Sequence, residues 1–90
     1  MTDYDKAEQV KVLIQDLLTK AGFQARVEYE DSLLKGLVFN INSRESRSLI
    51  GRQGMTLHSL EILVHALSAR LFKGEVFRFS LDVDDYKRKR

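Results

Sequence analysis

Cysteine is absent from all 90 residues, which excludes a disulfide framework, a thiolate zinc site and redox chemistry at sulfur, and agrees with a reducing cytosol. Proline is absent as well, although average usage of about 5% would place about four or five in a chain of this length. PxxP ligands, cis-proline turns and proline-stiffened linkers are thereby excluded. No apolar run extends beyond a few residues, so neither a membrane span nor the apolar core of a signal peptide is expected. The charge excess is also small: 15 Lys and Arg against 13 Asp and Glu give +2, far short of a basic DNA-binding arm. What the chain does have is 43% apolar positions, enough for the core of one compact domain but in a length too short for a two-domain enzyme. A soluble, cytoplasmic, single-domain protein is the expectation.

The charge is unevenly distributed. Residues 1–43 carry five basic and seven acidic side chains, whereas residues 44–90 carry ten and six. An anionic partner should therefore meet the second half.

Asp5-x-x-Glu8 suits a helix N-terminus, and Ala7, Val10, Leu13, Ile14, Leu17, Leu18 and Ala21 recur at helical spacing, which predicts an amphipathic helix near 5–20. Gly22 stands where a left-handed C-terminal cap belongs. Beyond it the period changes to two: Ala25, Val27 and Tyr29 alternate with Arg26, Glu28 and Glu30, and Leu37, Phe39 and Ile41 with Val38, Asn40 and Asn42. Turn residues from Asp31 to Gly36 join these two strands into a hairpin. Asn42 or Ser43 can cap a short helix over 44–50, with Glu45 placed for a capping box if Asn42 is the cap. After Gly54, the residues Leu57, Leu60, Leu63, Val64, Leu67 and Leu71 form one broad stripe of a core helix that runs to Gly74. Phe77, Phe79, Leu81 and Val83 alternate with Val76, Arg78, Ser80 and Asp82 as a third strand, and the tail from Asp84 to Arg90 is too polar to pack. The order is α-β-β-α-α-β. Three strands with one apolar face need helices over that face, so the fold class is α+β, an open two-layer sandwich with a three-stranded sheet whose other face is polar.

Leu49-Ile50-Gly51-Arg52-Gln53-Gly54 breaks what would otherwise be one helix. Two glycines around two polar residues allow a tight turn in which backbone approaches whatever lies outside it. The turn delivers the N-terminus of the long helix, whose first amides lack internal partners and whose dipole favours negative charge. A phosphate could lie there, with Arg52 and Gln53 in reach. G-x-x-G alone is weak, since a helix-helix turn with two glycines is ordinary. Its position between two helices, behind a hairpin and in the basic half, matches the way a KH domain clamps about four nucleotides of single-stranded nucleic acid.

The element order resembles the bacterial, type II form of the KH fold, and Ile50-Gly51-Arg52-Gln53-Gly54 matches that family's I-G-x-x-G signature. Ser48 to Leu57 and Phe79 to Tyr86 closely resemble the KH domain of the Jag family, also called SpoIIIJ-associated proteins or KhpB. The resemblance covers residues 5–87, which makes 1–83 a KH domain and 84–90 a basic tail or the start of a linker. It implies cytoplasmic RNA binding by a bacterial post-transcriptional regulator connected with cell shape and division, and pairing with itself or with a small KH protein, KhpA. Jag proteins usually continue into a second nucleic-acid-binding domain marked by Arg-x-x-x-His, a spacing this chain lacks. The expectation is either the KH part of a longer protein or a reduced relative that works alone.

The resemblance places RNA contacts at Ile50, Gly51, Arg52, Gln53, Gly54, Met55 and Leu57, with Arg44 and Arg47 on the preceding helix tracking the backbone and apolar residues flanking the loop flooring a groove for bases. A loop that clamps phosphates does not itself read the 2′-hydroxyl, so single-stranded DNA is a competing ligand. His58, Glu61 and His65 share one helix face, but H-E-x-x-H is missing and the histidines are about two turns apart, so the face reads as solvated rather than as a metal site. No nucleophile and base stand out, and neither enzyme activity nor a cofactor is expected. Phe77 and Phe79 share a face with Leu81 and Val83, which is a core pattern and not the exposed aromatic platform of an RRM. The other reading of the chain is a protein-interaction or dimerisation module that uses the same fold, or its first helix, with little RNA affinity.

Overall fold

The computed structural model describes residues 2–89, with side chains as far as Lys87. The last part of the expected basic tail, Arg90 and the side chains of Arg88 and Lys89, lies outside the described residues.

Helix α1 spans Asp3–Lys20. It starts earlier than Asp5-x-x-Glu8 suggests because Thr2 and Asp5 form the capping box: the Asp5 amide donates to Thr2 Oγ1 (3.1 Å) and the Thr2 amide donates to Asp5 Oδ2 (3.2 Å). Its end follows the expectation. Gly22, at φ +90°, occupies the left-handed position, with the Phe23 amide donating to the Leu18 carbonyl (2.9 Å) and the Gly22 amide to that of Thr19 (3.1 Å), the paired bonds of a Schellman cap.

Strands β1 (Ala25–Ser32) and β2 (Gly36–Ser43) form the antiparallel hairpin, in a register that pairs Val27 with Ile41 and Tyr29 with Phe39. Strand β3 (Ser80–Val83) lies parallel to β2, with Phe39 opposite Leu81 and Ile41 opposite Val83, and the sheet order is β1-β2-β3. Only four of the eight residues expected in the third strand join the ladder. Val38 pairs with Ser80 and β2 begins at Gly36, so the register leaves no β2 residue opposite Val76 and Phe77 and only its first two opposite Arg78 and Phe79, and residues 76–79 stay outside the ladder. Their alternation persists without it: Phe79 is buried and Phe77 half-buried, in T-shaped contact with Phe39 (5.4 Å) and Phe72 (5.5 Å) respectively.

All the inward positions of the sheet share one face by this register. Val27, Phe39, Ile41, Leu81 and Val83 pack with Ala7, Val10, Ile14 and Leu18 of α1 and with Leu57 and Val64 of helix α3 (Met55–Leu71). The chain is thus a mixed α+β domain. The opposite face carries Arg26, Glu28, Asn40 and Asn42, as the polar alternation requires; Arg26 pairs with Glu28 (3.4 Å) and Asn40 Nδ2 donates to Asn42 Oδ1 (3.1 Å). That second bond uses the oxygen assigned above to a helix cap. Short helix α2 (Ser46–Ile50) has no side-chain cap; Ser43 Oγ instead donates to the Gln24 carbonyl (2.8 Å) and accepts the Glu45 amide (3.0 Å), tying the entrance of α2 to β1.

The stripe of α3 is wider than the surface it covers. Leu57 and Val64 are buried and Leu60 and Leu67 half-buried, but Leu63 and Leu71 are exposed (47% and 46%), because a helix lying on a sheet beside α1 buries one line of side chains and leaves its flank open. The segment after β3 also differs from expectation. Asp84 and Asp85 turn the chain through left-handed backbone (φ 46° and 57°) into helix α4 (Tyr86–Lys89). Asp82, only 7% exposed, accepts the amides of Val83 (2.8 Å) and Lys87 (3.1 Å), and Tyr86 packs against the core. The acidic residues beside the basic run fasten the backbone, so the segment packs despite its polarity. No helix among the described residues is long and apolar enough to cross a membrane.

Candidate functional site

Helix α2 ends at Ile50, where the Gly51 amide donates to the Arg47 carbonyl (2.9 Å). Gly51 then adopts φ 75°, ψ 179°, a combination open essentially to glycine alone. Arg52–Gly54 make one 3-10 turn, closed by the Gly54 amide on the Gly51 carbonyl (3.3 Å), with Gln53 left-handed (φ 55°, ψ 27°) and Gly54 also left-handed (φ 79°). From Met55 the chain is α3.

Both glycines serve the fold before any ligand is considered. A Cβ at Gly51 would fall 2.2 Å from Thr56 Oγ1 and 2.9 Å from the Thr56 amide nitrogen; one at Gly54 would fall 3.1 Å from the Tyr86 ring. The first close approach is therefore internal: the turn folds back on the first residues of α3, and α4 leans its aromatic ring against the turn.

What faces outward is a cation, an amide and one apolar side chain. Arg52 and Gln53 are exposed, Met55 is 65% exposed, and Ile50 is half-buried. Gly54, the N-cap of α3, has no side chain to cap the helix, and the first turn contains no acidic residue. Helix α1 is the contrast, since Thr2 caps it and Asp3 and Asp5 lie in its first turn. The start of α3 thus keeps its partial positive charge available to an external anion.

The other expected site residues divide. Leu57 is 2% exposed and belongs to the core, touching the site only from beneath. Arg47 is exposed on α2 and its carbonyl holds Gly51. Arg44 is not gathered with the loop: it lines a separate, shallow cavity of about 490 Å³ with Gln24, Arg26, Asn42 and Glu45, where the hairpin meets α2.

Four residues that sequence reasoning did not place at the site surround the loop. Gln53, Gly54 and Leu57 share a cavity of about 320 Å³ with His58, Glu61, Tyr86 and Lys87. Glu61 is mostly covered, its side chain 16% exposed; Oε2 accepts the Leu81 amide (2.7 Å) and both carboxylate oxygens accept from Lys87 Nζ (3.1 Å). His65, one turn further on, stacks on Phe79 with ring centroids 4.0 Å apart. Of the His58, Glu61, His65 face expected to be solvated, His58 is exposed, whereas Glu61 and His65 are turned toward β3 and α4. The available signals were the spacing of those three residues and one aromatic, Tyr86, in an otherwise polar tail; neither indicates a contact between chain segments far apart in sequence. A scan against protein-family models and a search of the curated proteins find no match to the chain.

Proposed function

We propose that this chain binds single-stranded RNA, holding the sugar-phosphate backbone at the Gly51–Gly54 turn and the start of α3, as a type II KH domain of the Jag kind and without enzymatic activity. The observation that carries the reading is the contrast between the two long helices: α1 neutralises its own N-terminus, whereas α3 leaves its N-terminus uncapped beneath an exposed Arg52-Gln53 pair. Backbone amides, a helix dipole and one guanidinium suit phosphate. The succession of hairpin, short helix, glycine turn, long helix and a strand parallel to β2 supports the KH reading, as does the resemblance of Ile50 to Gly54 to that family's signature. A cytoplasmic role in post-transcriptional control follows from the same proposal.

Replacing Arg52 and Gln53 together with aspartate puts two negative charges where phosphates would lie. RNA affinity should fall by more than about tenfold, while far-UV circular dichroism and melting temperature stay close to those of the parent because neither side chain is packed. Full affinity in a folded double variant would end the proposal. The salt slope should be shallow, about −2 to −3 in log K against log salt, since about four nucleotides are clamped.

One observation favours a second reading, self-association or pairing with another small KH protein of the KhpA type. Val12, Leu13 and Leu71 line an almost wholly apolar hollow of about 410 Å³ between α1 and α3, and Ile62 and Leu63 are exposed on α3. Gel filtration with multi-angle scattering, with and without a short RNA, separates the two: a stable dimer with no RNA affinity favours the second.

A further inference from the structure

We infer that α4 is a docking device that sets the start of the basic run Lys87-Arg88-Lys89-Arg90 beside the Gly51–Gly54 turn, where the run takes phosphates of the strand beyond those held by the turn; this inference rests on the RNA-binding reading above. In sequence the run is offset by Asp84 and Asp85 just before it. The structure parts the two signs. The Asp84 amide donates to the Ile41 carbonyl (2.9 Å) and the Asp85 amide to Asn40 Oδ1 (3.4 Å), so the acidic pair is held against β2. Its left-handed backbone (φ 46° and 57°) then redirects the chain, and the next residue, Tyr86, lies against the glycine turn: a Cβ on Gly54 would fall 3.1 Å from its ring.

Helix α4 is held there from outside, since a helix of one turn has no stability of its own. Asp82, only 7% exposed, accepts the Lys87 amide on both carboxylate oxygens (3.1 and 3.3 Å). Lys87 Nζ donates to Glu61 (3.1 Å), and Tyr86 packs against the core. Glu61 balances the Lys87 charge, so the charge added for RNA is that of Arg88, Lys89 and Arg90. On single strands each neutralised phosphate adds about −0.7 to the slope of log K against log salt, so three add about −2. A strand long enough to reach the run therefore has an expected slope of about −4 to −5, against about −2 to −3 for the glycine turn alone. Docking matters because a loose tail spreads the same charge over a larger volume and lowers its effective concentration at the strand.

The test uses the full chain with a tetranucleotide and a decanucleotide of uridine, read by fluorescence anisotropy across a salt series. The tetranucleotide should keep the shallow slope and the decanucleotide should show the steeper one. Arg88→Gln, Lys89→Gln and Arg90→Gln together should weaken the decanucleotide by about tenfold or more, bring its slope down to that of the tetranucleotide and leave the tetranucleotide unchanged. Asp82→Ala separates docking from charge. It removes a negative charge, so a loose basic tail would bind the decanucleotide as well or better, whereas docking predicts weaker binding by a chain that circular dichroism shows to be folded. Tyr86→Ala, which keeps every charge, serves where Asp82→Ala fails to fold; it should weaken the decanucleotide and spare the tetranucleotide. Equal slopes for the two lengths, or a triple variant that binds the decanucleotide as the parent does, would overturn the contact by the basic run. Parental or tighter decanucleotide binding by a folded Asp82→Ala or Tyr86→Ala chain would overturn the docking. Failure of the parent chain to bind either oligonucleotide would instead defeat the RNA reading, and the inference with it.

Discussion

Gly51→Ala separates the internal reason for a glycine from the functional one. At φ 75°, ψ 179° an L-residue is strained by about 1–3 kcal/mol. The new methyl would also meet Thr56 Oγ1 at 2.2 Å, Thr56 Cβ at 2.7 Å and the Thr56 amide nitrogen at 2.9 Å, and forced overpacking of this kind adds about 1–3 kcal/mol. A loss of about 2–6 kcal/mol is expected, a large part of the stability of a domain this size. Gly22→Ala is the control: its φ is +90° but nothing lies within 4 Å of a Cβ there, so conformational strain alone should cost about 1–2 kcal/mol. Urea denaturation monitored by circular dichroism gives both values on one scale. Thr56→Ala in the Gly51→Ala background removes the 2.2 Å contact but leaves those at 2.7 and 2.9 Å, so it should recover only part of the loss. If Gly51→Ala costs no more than Gly22→Ala, or if Thr56→Ala restores stability fully, the turn does not press on α3 as argued.

Two further outcomes follow from contacts of α1. Thr2→Ala removes the side-chain half of the capping box and should cost about 1 kcal/mol, which thermal melting would register as about 4–8 °C in a domain of this length. Tyr29 donates its hydroxyl to Glu8 Oε2, and this bond, burial and the Glu8 charge push its pKa from 10.0 up to about 12. The native chain therefore keeps a proton that the unfolded chain has already released, so this contribution to stability is intact below about pH 10 and is lost as pH rises through about 12. Phenolate absorbance should show Tyr29 titrating late, and Glu8→Gln should bring that step down.

Period alone made the sheet and α1 legible, because Val27, Phe39, Ile41, Leu81 and Val83 alternate strictly and a one-residue slip would expose them all. Gly22 was legible for the same local reason, as a cap is decided by one residue's backbone freedom. The misreadings share a different cause. Thr2 outcompeted Asp5 as the cap because both partners of its box were present, and residues 76 and 77 have no strand to pair with because β2 begins only at Gly36, a fact about the neighbouring strand rather than about their own alternation. At the turn, the exposure of Arg52 and Gln53 was legible from the turn itself. Tyr86, Glu61 and Lys87 were not, since their meeting depends on α4 folding back over the start of α3, and Lys87 reads locally as one more charge in a basic run. Arg44 lines a different hollow from the loop's, where Ser43 ties the entrance of α2 to Gln24 just before β1.

With both glycines explained by packing, the case for a ligand rests on the uncapped start of α3 and on the two residues between the glycines. The fold gains nothing visible from Gln53, which is exposed and left-handed at φ 55°, a conformation that costs an L-residue about 1–2 kcal/mol. Glycine would relieve that strain at the expense of about 0.5–1 kcal/mol of backbone entropy, so Gln53→Gly should stabilise the chain by about 0.5–1 kcal/mol. Strain at one position could still be incidental, for Lys73 has the same φ of 55° far from the turn in sequence. The two positions together make the test. Lys73→Gly should stabilise by a similar amount and leave RNA affinity unchanged, whereas Gln53→Gly should stabilise and bind RNA more weakly, because the side chain whose strain it relieves is the one that meets the strand. Equal affinity in both variants would mean that Gln53 is an ordinary turn residue and that Arg52 and the amides of α3 would have to account for binding alone.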